Sequence, residues 1–190
     1  MNFIENLDQN LFFFINNKLH IGILDHYMPY WRSMYFWIPL YVFFISFLAL
    51  NAGKKGWILL LALVLTVGVA DIVSSKIVKK TVARLRPCND ENTKHKVKLL
   101  VSCGSGYSFT SSHATNHFAA ALFLFFSFFK NNRKLKWVLV SWAASIAFGQ
   151  VYVGVHYPLD VICGALLGSG IGFLGAFLYN KYANLLLLRK

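Results

Sequence analysis

Five apolar runs divide the chain, over residues 33–50, 57–75, 110–129, 136–154 and 159–179. Each comes close to the roughly 20 apolar residues that a helix needs to cross a bilayer. Inside lipid a lone segment can satisfy its backbone only as a helix. The expected fold class is therefore all-α: a polytopic membrane helix bundle of about five transmembrane helices, with residues 1–190 forming one integral-membrane domain. The first run opens on the interfacial aromatics Tyr35, Phe36 and Trp37. Residues 1–32 read differently. Leu7, Leu11, Phe14 and Ile15 share one helical face, with Asn10, Asn17 and Lys18 mostly off it. That pattern predicts an N-terminal amphipathic helix lying on the membrane. Asparagines break its apolar part and no small-residue cleavage site follows, so it is a poor signal peptide.

Composition supports the membrane reading. Of 190 residues, 57% are hydrophobic, 17% aromatic and only 14% charged. Soluble domains average about 45–50% apolar and 25% charged. A balance of 19 Lys+Arg against 7 Asp+Glu, hence +12, would suggest nucleic acid in a soluble protein. Here the basic residues lie mostly between apolar runs, which points to loop topology and anionic lipid, with no nucleic-acid partner. Five spans put residues 76–109 and 155–159 on one side. The opposite side carries Lys54, Lys55, Lys130, Arg133, Lys134, Lys136, Lys181, Arg189 and Lys190, with no acid among them. Positive-inside reasoning assigns that side to the cytoplasm and the other face to the outside.

Three further features bear on packing. Gly164, Gly168 and Gly172 form a GxxxGxxxG run in the fifth span, suited to close helix approach within the chain or between copies. Asp71 lies inside the second span, eight residues before Lys79, and is expected as a partner of the basic cluster there. Cys88 and Cys103 share the long outer loop, while Cys163 lies in the fifth span. A Cys88–Cys103 disulfide would close a loop of about 15 residues, worth roughly 3 kcal/mol; the alternative is two free thiols. His95 lacks ligand-like spacing to either cysteine, so no zinc site is expected.

Chemistry gathers in three pieces. The first is KKTVARLRP, where six residues separate Lys79 from Arg86 and Pro87 follows. Arginine offers a bidentate fork and lysine a point charge, a pair suited to a phosphoryl group or to lipid headgroups alone. The second is FTSSHATNH. Thr110, Ser111 and Ser112 open the third span, where capping hydroxyls and free N–H groups make an anion site. His113 sits in its first turn, placed to give a proton to a leaving oxygen. His117 lies one turn deeper and reads as a packed, hydrogen-bonded residue. The third is GQVYVGVHYPLD, where His156 precedes Asp160 by four residues. Pro158 suits the first turn of a new helix. A carboxylate on one imidazole nitrogen fixes the tautomer and leaves the other nitrogen as base or nucleophile.

In this order the three pieces resemble the signature of the type 2 phosphatidic acid phosphatase superfamily, which includes membrane lipid phosphatases and is related to vanadium haloperoxidases. Lys79, Arg86 and Pro87 match its K-x6-R-P motif in full. Ser111-Ser112-His113 keeps the serine and histidine of P-S-G-H but has Thr110 for proline and Ser112 for glycine. Gly149-Gln150, five residues, His156, three residues and Asp160 match S-R-x5-H-x3-D except at its first two positions. The resemblance implies metal-independent, cofactor-free hydrolysis of a phosphomonoester or pyrophosphate. His156 is then the nucleophile that forms a phosphohistidine, Asp160 orients it, and His113 protonates the leaving oxygen and later activates water. Lys79, Arg86, Ser111 and the Ser112 backbone N–H hold the phosphate, with Gln150 as a neutral donor in place of an arginine. Arg84 or Lys80 could replace the lost charge. Family substrates are undecaprenyl pyrophosphate, phosphatidylglycerophosphate, phosphatidic acid and lipid A phosphates. The size suits small bacterial members of the inner membrane, with the active site toward the periplasm. Two alternatives stand beside hydrolysis: a lipid phosphotransferase using another acceptor, and a non-catalytic phospholipid-binding or transport protein.

Overall fold

A computed structural model describes residues 3–188, with side chains over 3–183; Arg189 and Lys190 of the basic set lie outside the described residues. Every regular element among the described residues is helical. At the N-terminus are α1 (Phe3–Phe13), a π-helical stretch (Phe14–Lys18) and α2 (Gly22–Trp31). Five long helical segments follow where the apolar runs lie. They are α3 (Met34–Asn51), α4 (Gly53–Ile72) with its extension, α6 (Ser112–Ser127), α7 (Arg133–Tyr152) and α8 (Pro158–Leu188). Three of these helices are long and apolar enough to cross a membrane: Met34–Asn51, Gly53–Val82 and Pro158–Ala183. The protein is a polytopic membrane helix bundle.

The second run does not stop near residue 75. α4 continues through a π-helical stretch (Val73–Val78) into α5 (Lys79–Val82). Lysine is a good helix former, so Lys76, Lys79 and Lys80 carry the helix past its apolar part. Ala83 ends it in the left-handed conformation, φ 49°. Lys79 therefore stands on a helix, not in a loop.

Burial explains the unequal apolarity of the runs. α3 exposes Tyr35, Val42, Phe43 and Leu50, a surface that suits lipid. α6 has only 16 residues and packs against α4, α7 and α8. Its buried positions are small or polar over the first three turns, at Ala114, Thr115, His117, Ala119 and Ala121, and large only at Phe123 and Leu124 near its end. The glycine run of α8 makes this packing possible. A Cβ on Gly164 would stand 2.8 Å from the Ser111 carbonyl oxygen, one on Gly168 2.1 Å from that of Thr115, and one on Gly172 2.4 Å from that of Ala119. The run is used within the chain, between α6 and α8.

Residues 3–31 depart from the expected single surface helix. Leu7, Leu11 and Phe14 do form an exposed outer stripe. The opposite face, however, is buried and carries Asp8, Phe12 and Asn16. Polar residues inward and apolar residues outward are what a helix sandwiched between lipid and a polar site requires. Asn16 Nδ2 donates to the carbonyls of Lys98 and Tyr152, both at 2.9 Å, and its Oδ1 accepts from the Lys98 N–H at 2.8 Å. Asp25 on α2 accepts from the Tyr152 hydroxyl at 2.5 Å and from Lys98 Nζ at 2.9 Å. These bonds hold its carboxyl down to about 2. The two N-terminal helices are thus bolted to the outer loop and the end of α7.

Candidate active site

Four helix ends converge at one end of the bundle: the end of α5, the starts of α6 and α8, and the end of α7. The Ser111 N–H donates to the Asp160 carbonyl at 2.9 Å, tying the starts of α6 and α8 together. Ser111 caps α6, its hydroxyl accepting from the Ala114 N–H at 3.5 Å. Ser112 turns its hydroxyl onto Ser74 at 3.0 Å, so a side chain at this position leaves the mouth of the helix free.

His156 is buried. Its Nδ1 lies 3.2 Å from Ser108 Oγ and 3.6 Å from Asp160 Oδ2. The shorter path runs through Ser108, whose hydroxyl also bonds Asp160 Oδ2. A carboxylate only accepts, so Ser108 donates to Asp160 and its lone pair accepts Nδ1–H of His156. That arrangement fixes the tautomer and leaves Nε2 with its lone pair. Burial drives the His156 ring down to about 4 against the pull of Asp160, and the charges of Arg86 and Lys79 add to the effect. The imidazole is therefore neutral at neutral pH, with a lone pair free on Nε2.

Asp160 is itself held on every side. Arg84 Nη1 donates to Oδ1 at 2.8 Å and the Tyr157 N–H to Oδ2 at 2.8 Å. Arg84 also donates to Asp8 Oδ2 at 2.6 Å, and Asp8 Oδ1 accepts from the Leu159 N–H at 2.8 Å. Burial opposes the charge on Arg84, but Asp160 and Asp8 outweigh it and hold the guanidinium above its ordinary value. Arg84 is therefore committed to two carboxylates and does not supply a missing cation. Lys80 is exposed on α5 and does not take that place either.

Lys79 and Arg86 are positioned by the same outer loop. Lys79 Nζ donates to the Tyr107 carbonyl at 2.8 Å, and Arg86 Nε to the Gly106 carbonyl at 2.9 Å. A disulfide between Cys88 and Cys103 closes the base of that loop. Gln150 is fully buried, and its Oε1 accepts from Arg32 Nε at 3.0 Å. Asp71 makes no ion pair with Lys79 among the described residues, although its charge reaches the ammonium group. It accepts from Asn116 Nδ2 at 2.9 Å, because α6 packs beside α4 at that level. His117 Nδ1 donates to the His113 carbonyl at 2.8 Å, and Tyr41 donates to its Nε2 at 3.5 Å. That pairing makes it a packed residue. His113 and His156 lie near enough for their charges to interact. Among the described residues, no group of three His, Cys, Asp or Glu side chains is placed to hold a metal ion.

Three residues escaped the sequence reading. Ser108 sits outside the spacing of the three pieces, in a stretch where serine and glycine are common. Asp8 and Arg32 lie far upstream, in a segment whose polar residues read as a helix surface.

At one end of a membrane bundle, then, a buried histidine–carboxylate pair stands with Lys79 and Arg86, which make no ion pair among the described residues, and with a helix start. Residues 55–184 match the PAP2 superfamily. The chain belongs to that superfamily, and it is a membrane phosphatase of the PAP2 type. It is 32% identical to a lipid A 4'-phosphatase from Bacteroides thetaiotaomicron, over 94% of this chain and 80% of that one. It is 34% identical to an undecaprenyl-diphosphatase from Sulfolobus acidocaldarius, over 80% of this chain and 68% of that one. Among solved structures, Aquifex aeolicus LpxE superposes with a TM-score of 0.67 at 29% identity, covering 89% of this chain and 94% of that one. A PAP2-type phosphatidylglycerolphosphate phosphatase from Bacillus subtilis shares the fold, with a TM-score of 0.74 at 22% identity over 95% of this chain and 88% of that one.

Proposed function

We propose that the protein removes a phosphate from lipid A or a closely similar membrane lipid, through a phosphohistidine on His156 and without a metal ion. The observation that carries the reading is the relay from His156 through Ser108 to Asp160, which presents a neutral Nε2 beside Lys79 and Arg86. In the first step an Nε2–P bond forms as the bond from phosphorus to the lipid oxygen breaks. The leaving oxygen takes a proton from His113, whose cationic form a bound phosphate dianion favours. In the second step water attacks phosphorus, its proton passes to His113, and the P–N bond breaks to release inorganic phosphate. Lys79, Arg86 and the N–H groups at the start of α6 offset charge on the phosphoryl oxygens, the main catalytic requirement of phosphoryl transfer.

Lipid A is favoured by the Bacteroides thetaiotaomicron relative, which matches 94% of the chain. A cleft of about 830 Å³ favours a lipid of any kind. Trp31, Trp37, Tyr41, Phe44 and Trp142 line it, and Tyr41 also reaches His117. The active end faces the periplasm, since Lys54, Lys55, Lys130, Arg133, Lys134 and Lys136 cluster at the other. The test is phosphate release by detergent-purified protein in the presence of chelator, comparing lipid A, undecaprenyl diphosphate and phosphatidylglycerophosphate. Release from lipid A that survives chelator and disappears in His156→Ala supports the reading. Persistent release in that variant removes His156 as nucleophile, and no release from any substrate removes the phosphatase assignment.

A further inference from the structure

Arg32 stands at the turn between α2 and α3, outside the 55–184 segment that matches the superfamily. Its Nε donates to the side chain of Gln150 at 3.0 Å. Gln150 has no freedom to move away: it is fully buried, and its Nε2 also donates to the Ile146 carbonyl at 3.4 Å. The turn reaches this depth because residue 149 is glycine. A Cβ there would lie 3.1 Å from Met28 Sδ and 3.3 Å from Arg32 Cβ. Both departures from S-R-x5-H-x3-D thus serve one arrangement. The glycine admits the α2–α3 turn, and the glutamine holds the arginine that the turn delivers.

Among the described residues Arg32 donates only through Nε, so both of its terminal NH₂ groups are left to donate elsewhere. Arg32, Lys79 and Arg86 form no ion pair with a carboxylate among the described residues, in contrast to Arg84. Burial and the neighbouring charge of Arg86 together lower Arg32 to about 10. The charge of Arg32 also reaches the His113 ring. Desolvated like charges without a counter-ion gather where an anion is to be bound.

We propose that Arg32 is a phosphate ligand of the active site, supplied from the N-terminal segment and oriented by Gln150. It donates through its terminal nitrogens to the phosphoryl oxygens alongside Lys79 and Arg86. The position at the start of the third motif keeps a guanidinium function, split here between a holder on α7 and a donor from α2–α3. This inference rests on the phosphatase reading, but anion binding tests it separately from turnover.

The experiment uses full-length protein in detergent and two readouts: kcat/KM on the lipid phosphate, and affinity for orthovanadate, an oxyanion probe of the phosphoryl site. Arg32→Ala is expected to lose about 10- to 100-fold in kcat/KM, the range for a charge-assisted hydrogen bond. Vanadate affinity falls in parallel, and the melting temperature changes little. Gln150→Arg alone sets two guanidinium groups against each other and is also impaired. The exchange Arg32→Gln with Gln150→Arg restores at least a third of wild-type activity and of vanadate affinity. Lys80→Ala, which removes a charge from the same end, leaves both unchanged. Arg32→Ala with activity and vanadate affinity within twofold of wild type overturns the proposal. So does an exchange variant that folds but recovers neither. If wild-type protein binds vanadate yet releases no phosphate, the phosphatase reading fails. In that case the Arg32 dependence of vanadate binding still decides whether the ligand assignment stands.

Discussion

Ser108 shows how much of a site can rest on a residue without a recognisable pattern. Its hydroxyl occupies the gap between His156 and Asp160, accepting from one and donating to the other. Without it the 3.6 Å between Nδ1 and Oδ2 is too long for a good hydrogen bond. Ser108→Ala should lower kcat roughly 10- to 100-fold with little change in KM, since the lost bond strengthens only as His156 becomes cationic. Steady-state kinetics on the purified variant check this, and unchanged kcat would mean that Asp160 reaches the imidazole directly. On the proposed mechanism, the acid limit of activity is set at His156. His156 is held down to about 4, chiefly by burial. The attack-competent neutral ring should therefore persist well below the ordinary histidine value of about 6.5. The sign for stability follows. The unfolded chain takes up the proton near 6.5 and the native chain near 4. Falling pH through that window therefore favours unfolding, and the stabilisation is complete above it. A pH profile of kcat/KM whose acid limb lay near 6.5 would contradict the depressed value.

At the scale of elements, the sequence was most legible where one physical demand dominated. Long apolar runs had to be helices, and their starts were read to within a few residues, but α5 carries the second helix on to Val82 and α8 runs on to Leu188. Pro158 marked the start of α8, and the hydroxyl run of Thr110, Ser111 and Ser112 the start of α6, where Ser111 is the cap. It was least legible where tertiary contact reversed the ordinary meaning of a residue. Lys79 reads as loop because charge ends an apolar run, yet it continues a helix whose end projects from the bundle. Asp8 and Asn16 carry no local signal in the sequence, yet they are the buried face, satisfied by Arg84, Leu159, Lys98 and Tyr152. No local pattern announces partners more than 70 residues away. The glycine run lies between these cases: its spacing announced close packing but left the partner open. α6 is that partner, and Gly168→Ala should prove costly. The added methyl would meet a backbone carbonyl 2.1 Å away, which no side-chain rotation relieves. Overpacking of this kind costs about 1–3 kcal/mol. Because it separates α6 from α8, it also pulls Ser111 from Asp160. A lower melting temperature together with lower activity is expected; a variant unchanged in both would mean that the helices sit further apart.

Across the whole molecule, chemistry and lipid meet at one end of the bundle. The groups proposed to handle phosphate come from α5, the outer loop, the start of α6, the turn before α8 and the α2–α3 turn, while the apolar cleft runs from Trp31 and Trp37 down toward Lys134. Trp31 of the lining precedes Arg32 in the chain, and Tyr41 of the lining bonds His117, one turn from His113. A lipid whose phosphate reaches His156 can lay an acyl chain along α3 and α7 without that chain leaving an apolar surface. Filling the cleft should then separate two classes of substrate. Ala120 lines it from α6, away from the residues that surround His156. Ala120→Trp is expected to lower kcat/KM for a long-chain lipid phosphate about 10-fold or more, as the displaced chain loses its burial at roughly 25 cal/mol per Å². A short, water-soluble phosphate ester has no chain to displace and should be turned over at the wild-type rate. Equal losses on both substrates would show that the substitution disturbs the site itself. No loss on either would place the lipid chain on another face of the bundle, leaving the cleft to ordinary bilayer lipid.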